Sequence, residues 1–215
     1  ANNPNLNPEE SDNMNIGAIW KPTDRLSMKL DYWAIDYTDV ITIENAQGKV
    51  AANPNDPDVK RTTGGTLTGV TTKYFNASQV NTSGIDFEST YDFDTAWGQA
   101  QVGVNMMHML EYEIPLNGVT TDVVGLFNHD NFARSMPETK AVFHAALQNG
   151  NNRLSMFGRY TSDYRTTRPL DAIAKARGFS QSIDSFFTVD LMDAYTIEMN
   201  DSELKLSVGI TNLFD

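Results

Sequence analysis

The sequence predicts an all-β protein: an antiparallel, up-and-down transmembrane β-barrel wall of about eight long strands. Three observations carry this. Apolar and polar residues alternate with period two along most of the chain, the signature of antiparallel strands with two unlike faces. Short connections alternate with long ones, as tight periplasmic turns and long extracellular loops do in outer-membrane barrels. The alternating runs also exceed the usual five or six residues of a globular strand.

The elements follow in order. A strand over about 14–21 reaches the turn Pro22-Thr23-Asp24-Arg25. In the next, 26–43, Leu26, Met28, Leu30 and Tyr32 oppose Ser27, Lys29, Asp31 and Trp33. A polar connection from Glu44 to Gly69 leads to 70–93, where Ile85, Phe87, Tyr91 and Phe93 oppose Asp86, Glu88, Thr90 and Asp92. After Asp94-Thr95-Ala96 comes 97–114, with Val102, Val104 and Met106 against Gln101, Gly103 and Asn105. Pro115 to Ser135 is the second long loop, followed by 136–148 with Ala141, Phe143, Ala145 and Leu147 on one face. Asn149-Gly150-Asn151-Asn152 turns the chain into 153–166, where Leu154, Met156 and Tyr160 oppose Ser155, Phe157 and Arg159. The third long loop, Thr166 to Ser182, holds a short helical run, Leu170 to Ala176. Strands 183–199 and 203–212 close the series around Asn200-Asp201-Ser202.

Composition bounds the function. The net charge of −12 argues against nucleic acid, which needs a basic surface. Without cysteine there are no disulfides, thiolate metal sites or cysteine nucleophiles. No run approaches ~18 consecutive apolar residues, which excludes a transmembrane helix but not a barrel. Ala1-Asn2-Asn3-Pro4 begins in a polar stretch without signal-peptide character. Nothing resembles a nucleophile elbow, a phosphate loop or a zinc motif, so an enzyme, a cofactor and a metal centre are not expected.

The remaining candidates lie in loops. His129, Asp130 and Arg134 fall in the second long loop, and Arg165 and Arg168 at the start of the third. Loops carry function, and the arginines suit an anionic ligand. By parity His108 joins the apolar face and His144 the opposite one, so both read as wall residues. Glu111 and Glu113, two apart on one strand, fit a polar lumen as well as an acid pair.

Several motifs carry a resemblance. "NPNLNPEESDNMNIGAIWKP" (3–22), "LSMKLDYWAIDYTDVI" (26–41), "NASQVNTSGIDFESTYDF" (76–93), "SMPETKAVFHAAL" (135–147) and "SVGITNLFD" (207–215) occur in the order and spacing seen in TonB-dependent outer-membrane receptors. The chain resembles that family over nearly its whole length. The resemblance implies that residues 1–215 are a C-terminal segment of a 22-stranded barrel, without the plug domain and without the last strand, which in the family follows "NLFD". It implies a receptor in the bacterial outer membrane that binds a scarce nutrient, a ferric siderophore or another small molecule or metal chelate, and imports it. Its partners would be outer-membrane lipid and the TonB–ExbB–ExbD complex, which acts through the plug. A soluble secreted binding or adhesion module, or a passive porin, are the alternatives. The first and last strands should be unpaired edges of an open wall.

Overall fold

The computed structural model describes residues 3–76, 79–116, 119–127 and 135–214. Its wall consists of β1 (Glu10–Thr23), β2 (Leu26–Thr38), β3 (Val80–Thr95), β4 (Gly98–Leu116), β5 (Thr139–Asn149), β6 (Asn152–Thr161), β7 (Phe186–Met199) and β8 (Ser202–Ile210). The strands pair antiparallel in simple order from β1 to β8, and a short ninth strand, Val119–Asp122, pairs with the outer end of β4. β1 and β8 are the open edges.

Pairs of wall strands meet at two-residue turns, 24–25, 96–97, 150–151 and 200–201. Local chemistry sets them. Thr23 Oγ1 accepts the N–H groups of Arg25 and Leu26 at 3.3 and 3.1 Å. Thr95 Oγ1 donates to the Gly98 carbonyl at 2.9 Å, and Gly150, with φ of 54°, supplies the left-handed residue that a tight hairpin needs. The long connections all leave from the opposite end.

The register keeps the faces apart. One cross-strand row runs Ala18, Leu30, Phe87, Met106, Ala141, Tyr160, Phe187; the next row toward the turns contains Met28, Val104, Phe143, Gly158 and Val189. On the other face lie Lys29, Glu88, Asn105, Val142, Arg159 and Thr188 in one row. Leu30, within β2, is 52% exposed and Phe187, near the loop end of β7, is 55% exposed, although both stand on the apolar face. A face of that kind awaits hydrocarbon, not water. Between two of its rings Gly158 leaves the gap in which Phe143 and Phe187 meet, centroids 6.5 Å apart.

Five expected strands are shorter in the wall than the alternation predicts; one of them, 183–199, joins it only at Phe186, because Ser182–Ile183 pairs with Tyr164–Arg165 in a separate small sheet. Strand 26–43 breaks at Asp39, whose φ is 54°, and Ile41–Ile43 pairs instead with Tyr74–Asn76. Strand 70–93 therefore joins the wall only at Val80. Strand 136–148 begins at Thr139, because Pro137 has no N–H for the ladder and Ser135–Met136 pairs with Leu126–Phe127. Strand 153–166 leaves the wall after Thr161, and Tyr164–Thr166 enters a separate small sheet.

Candidate functional site

The loop end carries the most deeply buried apolar cluster among the described residues. Val80, Ile114 and Val123 are enclosed, with Val40, Tyr112, Leu126 and Met136 packed around them. A wall with one face for lipid and one for a polar lumen has no interior of its own, so this core forms where the loops meet the strands.

The long connections are built structures rather than polar coil. In the first, Val59–Arg61 pairs with Leu67–Val70, and a helix, Ala46–Ala52, starts where Asn45 accepts the Gly48 N–H at 2.9 Å. Lys49 is the hub: its Nζ donates to Asp58 at 2.7 Å, to Glu44 at 2.8 Å and to the Thr71 carbonyl at 3.4 Å. Lys49 holds both carboxyls below their usual range, and the two acids raise the ammonium in return. The second and third loops are knitted into a four-stranded sheet, Ser135–Met136, Leu126–Phe127, Tyr164–Thr166, Ser182–Ile183, whose inner pair is parallel. The helix expected at Leu170–Ala176 is Ala172–Ala176, capped by Asp171 accepting from the Ala174 N–H.

Of the sequence-derived candidates, Arg165 and Arg168 sit on this second loop assembly, both exposed, with no carboxylate partner among the described residues. The Arg165 N–H donates to the Gly125 carbonyl at 2.9 Å, which fixes its backbone. Ile173 and Phe179 of the same loop are also exposed. His129, Asp130 and Arg134 lie outside the described residues. His108 stands in the apolar-face row with Tyr32 and Ile85, its Nδ1 2.9 Å from Thr139 Oγ1. His144 stands on the polar face, its ring over Gly103. Glu111 and Glu113 lie at the loop end of β4 opposite Ser83 and Asn81. Sequence reading missed the Lys49 hub; its one signal is Asn45, a good N-cap, three residues before a glycine that weakens the helix.

Among the described residues the polar face carries several hollows, two of them larger than the rest. One hollow, about 570 Å³, is lined by Lys29, Asp31, Asp86, Glu88, Lys140 and Arg159. Lys29 pairs with Asp31 at 2.8 Å and Arg159 with Asp190. The other, about 320 Å³, lies near the turns, where Arg25 meets Asp94 at 2.7 Å and Gln101 donates to Asp92 at 2.8 Å. Among the described residues no cluster of His, Asp and Glu could hold a metal ion.

A family model described as TonB dependent receptor-like, beta-barrel, matches residues 1–213. The chain belongs to this family. TonB-dependent receptors are outer-membrane barrels, which accounts for the exposed apolar face and places the chain in the outer membrane. Solved structures agree on the fold. The ferric enterobactin receptor PfeA of Pseudomonas aeruginosa is 18% identical with a TM-score of 0.65, over 96% of this chain and 26% of its own. The FrpB iron transporter of Neisseria meningitidis is 13% identical with a TM-score of 0.54, over 98% and 27%. The copper transporter OprC is 15% identical with a TM-score of 0.59, over 98% and 27%. This chain therefore spans about a quarter of the length of these receptors. No curated protein matches the sequence.

Proposed function

We propose that this chain is a C-terminal part of the barrel of a receptor that captures an anionic metal chelate, a ferric siderophore first, with its outer loops. The whole receptor imports the chelate with energy delivered by TonB–ExbB–ExbD through a plug domain. One observation carries the reading: at the end where the long loops gather, Arg165 and Arg168 are exposed and, among the described residues, without carboxylate partners, in a chain of net charge −12. An excess of acid elsewhere makes unpaired cations at a rigid, outward site good anchors for an anion. Structural neighbours described as a ferric enterobactin receptor, an iron transporter and a copper transporter fit a cargo of metal or metal chelate.

The test is binding of ferric enterobactin to the full-length receptor in detergent, followed by tryptophan quenching. Arg165→Glu with Arg168→Glu should weaken binding by roughly tenfold at low salt, with the difference shrinking as salt rises. Unchanged affinity would remove both arginines from the site. Uptake that persists in cells lacking TonB would favour a passive porin.

A further inference from the structure

Two motifs that are far apart in the sequence meet at one side chain. Asn76 opens the stretch "NASQV", and Asn7 and Glu9 belong to "NPNLNPEE". Asn76 Oδ1 accepts the Asn7 N–H at 2.8 Å, and Asn76 Nδ2 donates to the Asn7 carbonyl at 3.0 Å. The side-chain amide thus reads both groups of one residue, as a strand neighbour would. The same Nδ2 donates to the Asp39 carbonyl at 2.6 Å, at the left-handed residue where β2 leaves the wall. Two further bonds flank it: Glu9 Oε1 accepts the Ile41 N–H at 2.7 Å, and Asn3 Nδ2 donates to the Tyr74 carbonyl at 2.9 Å.

We propose that Asn76 is a positioning residue: it clasps the segment 3–9, which enters β1, to the base of the first long loop, so that the two form one lip of the loop end. Only an amide fits this place. It must accept from one N–H and donate to two carbonyls at once; a carboxylate cannot donate, and an ammonium cannot accept. Glu9 has the simpler task of accepting, which a neutral amide oxygen also performs. The clasp is independent of which ligand the loops bind.

Hydrogen exchange followed by mass spectrometry on the full-length receptor tests it. Asn76→Ala and Asn76→Asp should each speed exchange in residues 3–9 and 39–43 roughly tenfold, the effect of losing one or two net hydrogen bonds. Peptides of β4 and β5 should keep their protection. Glu9→Ala should loosen the same segments, and Glu9→Gln should leave them as they are. Native protection at 3–9 in both Asn76 variants would overturn the proposal. So would equal loss of protection in β4 and β5, because Asn76 would then support the whole fold and not the lip.

Discussion

A cationic side chain at Leu30 should separate the two faces of the wall most sharply. Leu30 lies five residues beyond the turn at 24–25, on the row with Ala18 and Phe87, and is 52% exposed. With ~3.3 Å per residue and a tilt of about 40°, it stands roughly 13 Å above the turn, half-way up an apolar band ~25 Å tall. Leu30→Arg should therefore cost about 2–4 kcal/mol, the midplane value for arginine on a barrel surface. Ser27 points to the opposite face, in a hollow with Lys29 and Glu88. Ser27→Arg finds water and a carboxylate there and should change stability by less than about 0.5 kcal/mol. The assay is urea-dependent folding of the full-length receptor into phospholipid vesicles, with the folded fraction read from electrophoretic mobility. Equal losses in the two variants, or none at Leu30, would refute the assigned faces.

Three further outcomes follow from named contacts. Gly103→Ala would drive a Cβ into the His144 ring and to 2.6 Å from the Ser89 carbonyl, at a cost of about 1–3 kcal/mol; adding His144→Ala should recover only part, because the backbone oxygen stays. Lys49→Met should make the first long loop open to protease at pH 7 while the wall stays intact. In the native chain Glu44 and Asp58 titrate below their usual range, so the loop's protection is complete above about pH 4 and is lost only as pH falls through the lowered values; a pH series of proteolysis reads this directly. Asn212 has φ of 53° while its N–H donates to Asp190 at 2.9 Å. Asn212→Val should cost about 1–2 kcal/mol in the same vesicle assay and Asn212→Gly clearly less.

The wall was legible in the sequence because a strand's side chains alternate with period two. Leu30, Phe87, Met106, Ala141, Tyr160 and Phe187 could be assigned to one face from their own strands alone, and the register then joined them in one row. The turns were legible for a similar reason: glycine, asparagine and aspartate act on the residues beside them. The loop end was not. Its order comes from contacts between distant segments, such as Asn76 with Asn7 and with Asp39, 69 and 37 residues apart, and the parallel pairing of Leu126 with Arg165. Neither has a local pattern. Lys49 was hidden likewise, because its value lies in Asp58 and Thr71 folding back onto it. Of the candidate residues, Arg165 and Arg168 were recognisable as exposed loop cations, but the sheet that holds Arg165 was not.

The central claim is that the apolar parity faces lipid and the polar parity faces a lumen. This chain has no cysteine, and in a full-length receptor made cysteine-free elsewhere single cysteines are placed and spin-labelled one at a time from position 26 to position 32 in a bilayer. Collision with oxygen, which concentrates in hydrocarbon, should be high at 26, 28, 30 and 32 and low at 27, 29 and 31, with a water-soluble nickel chelate giving no such peaks at the even positions. A profile without period two, or one with the odd positions in lipid, would contradict the account.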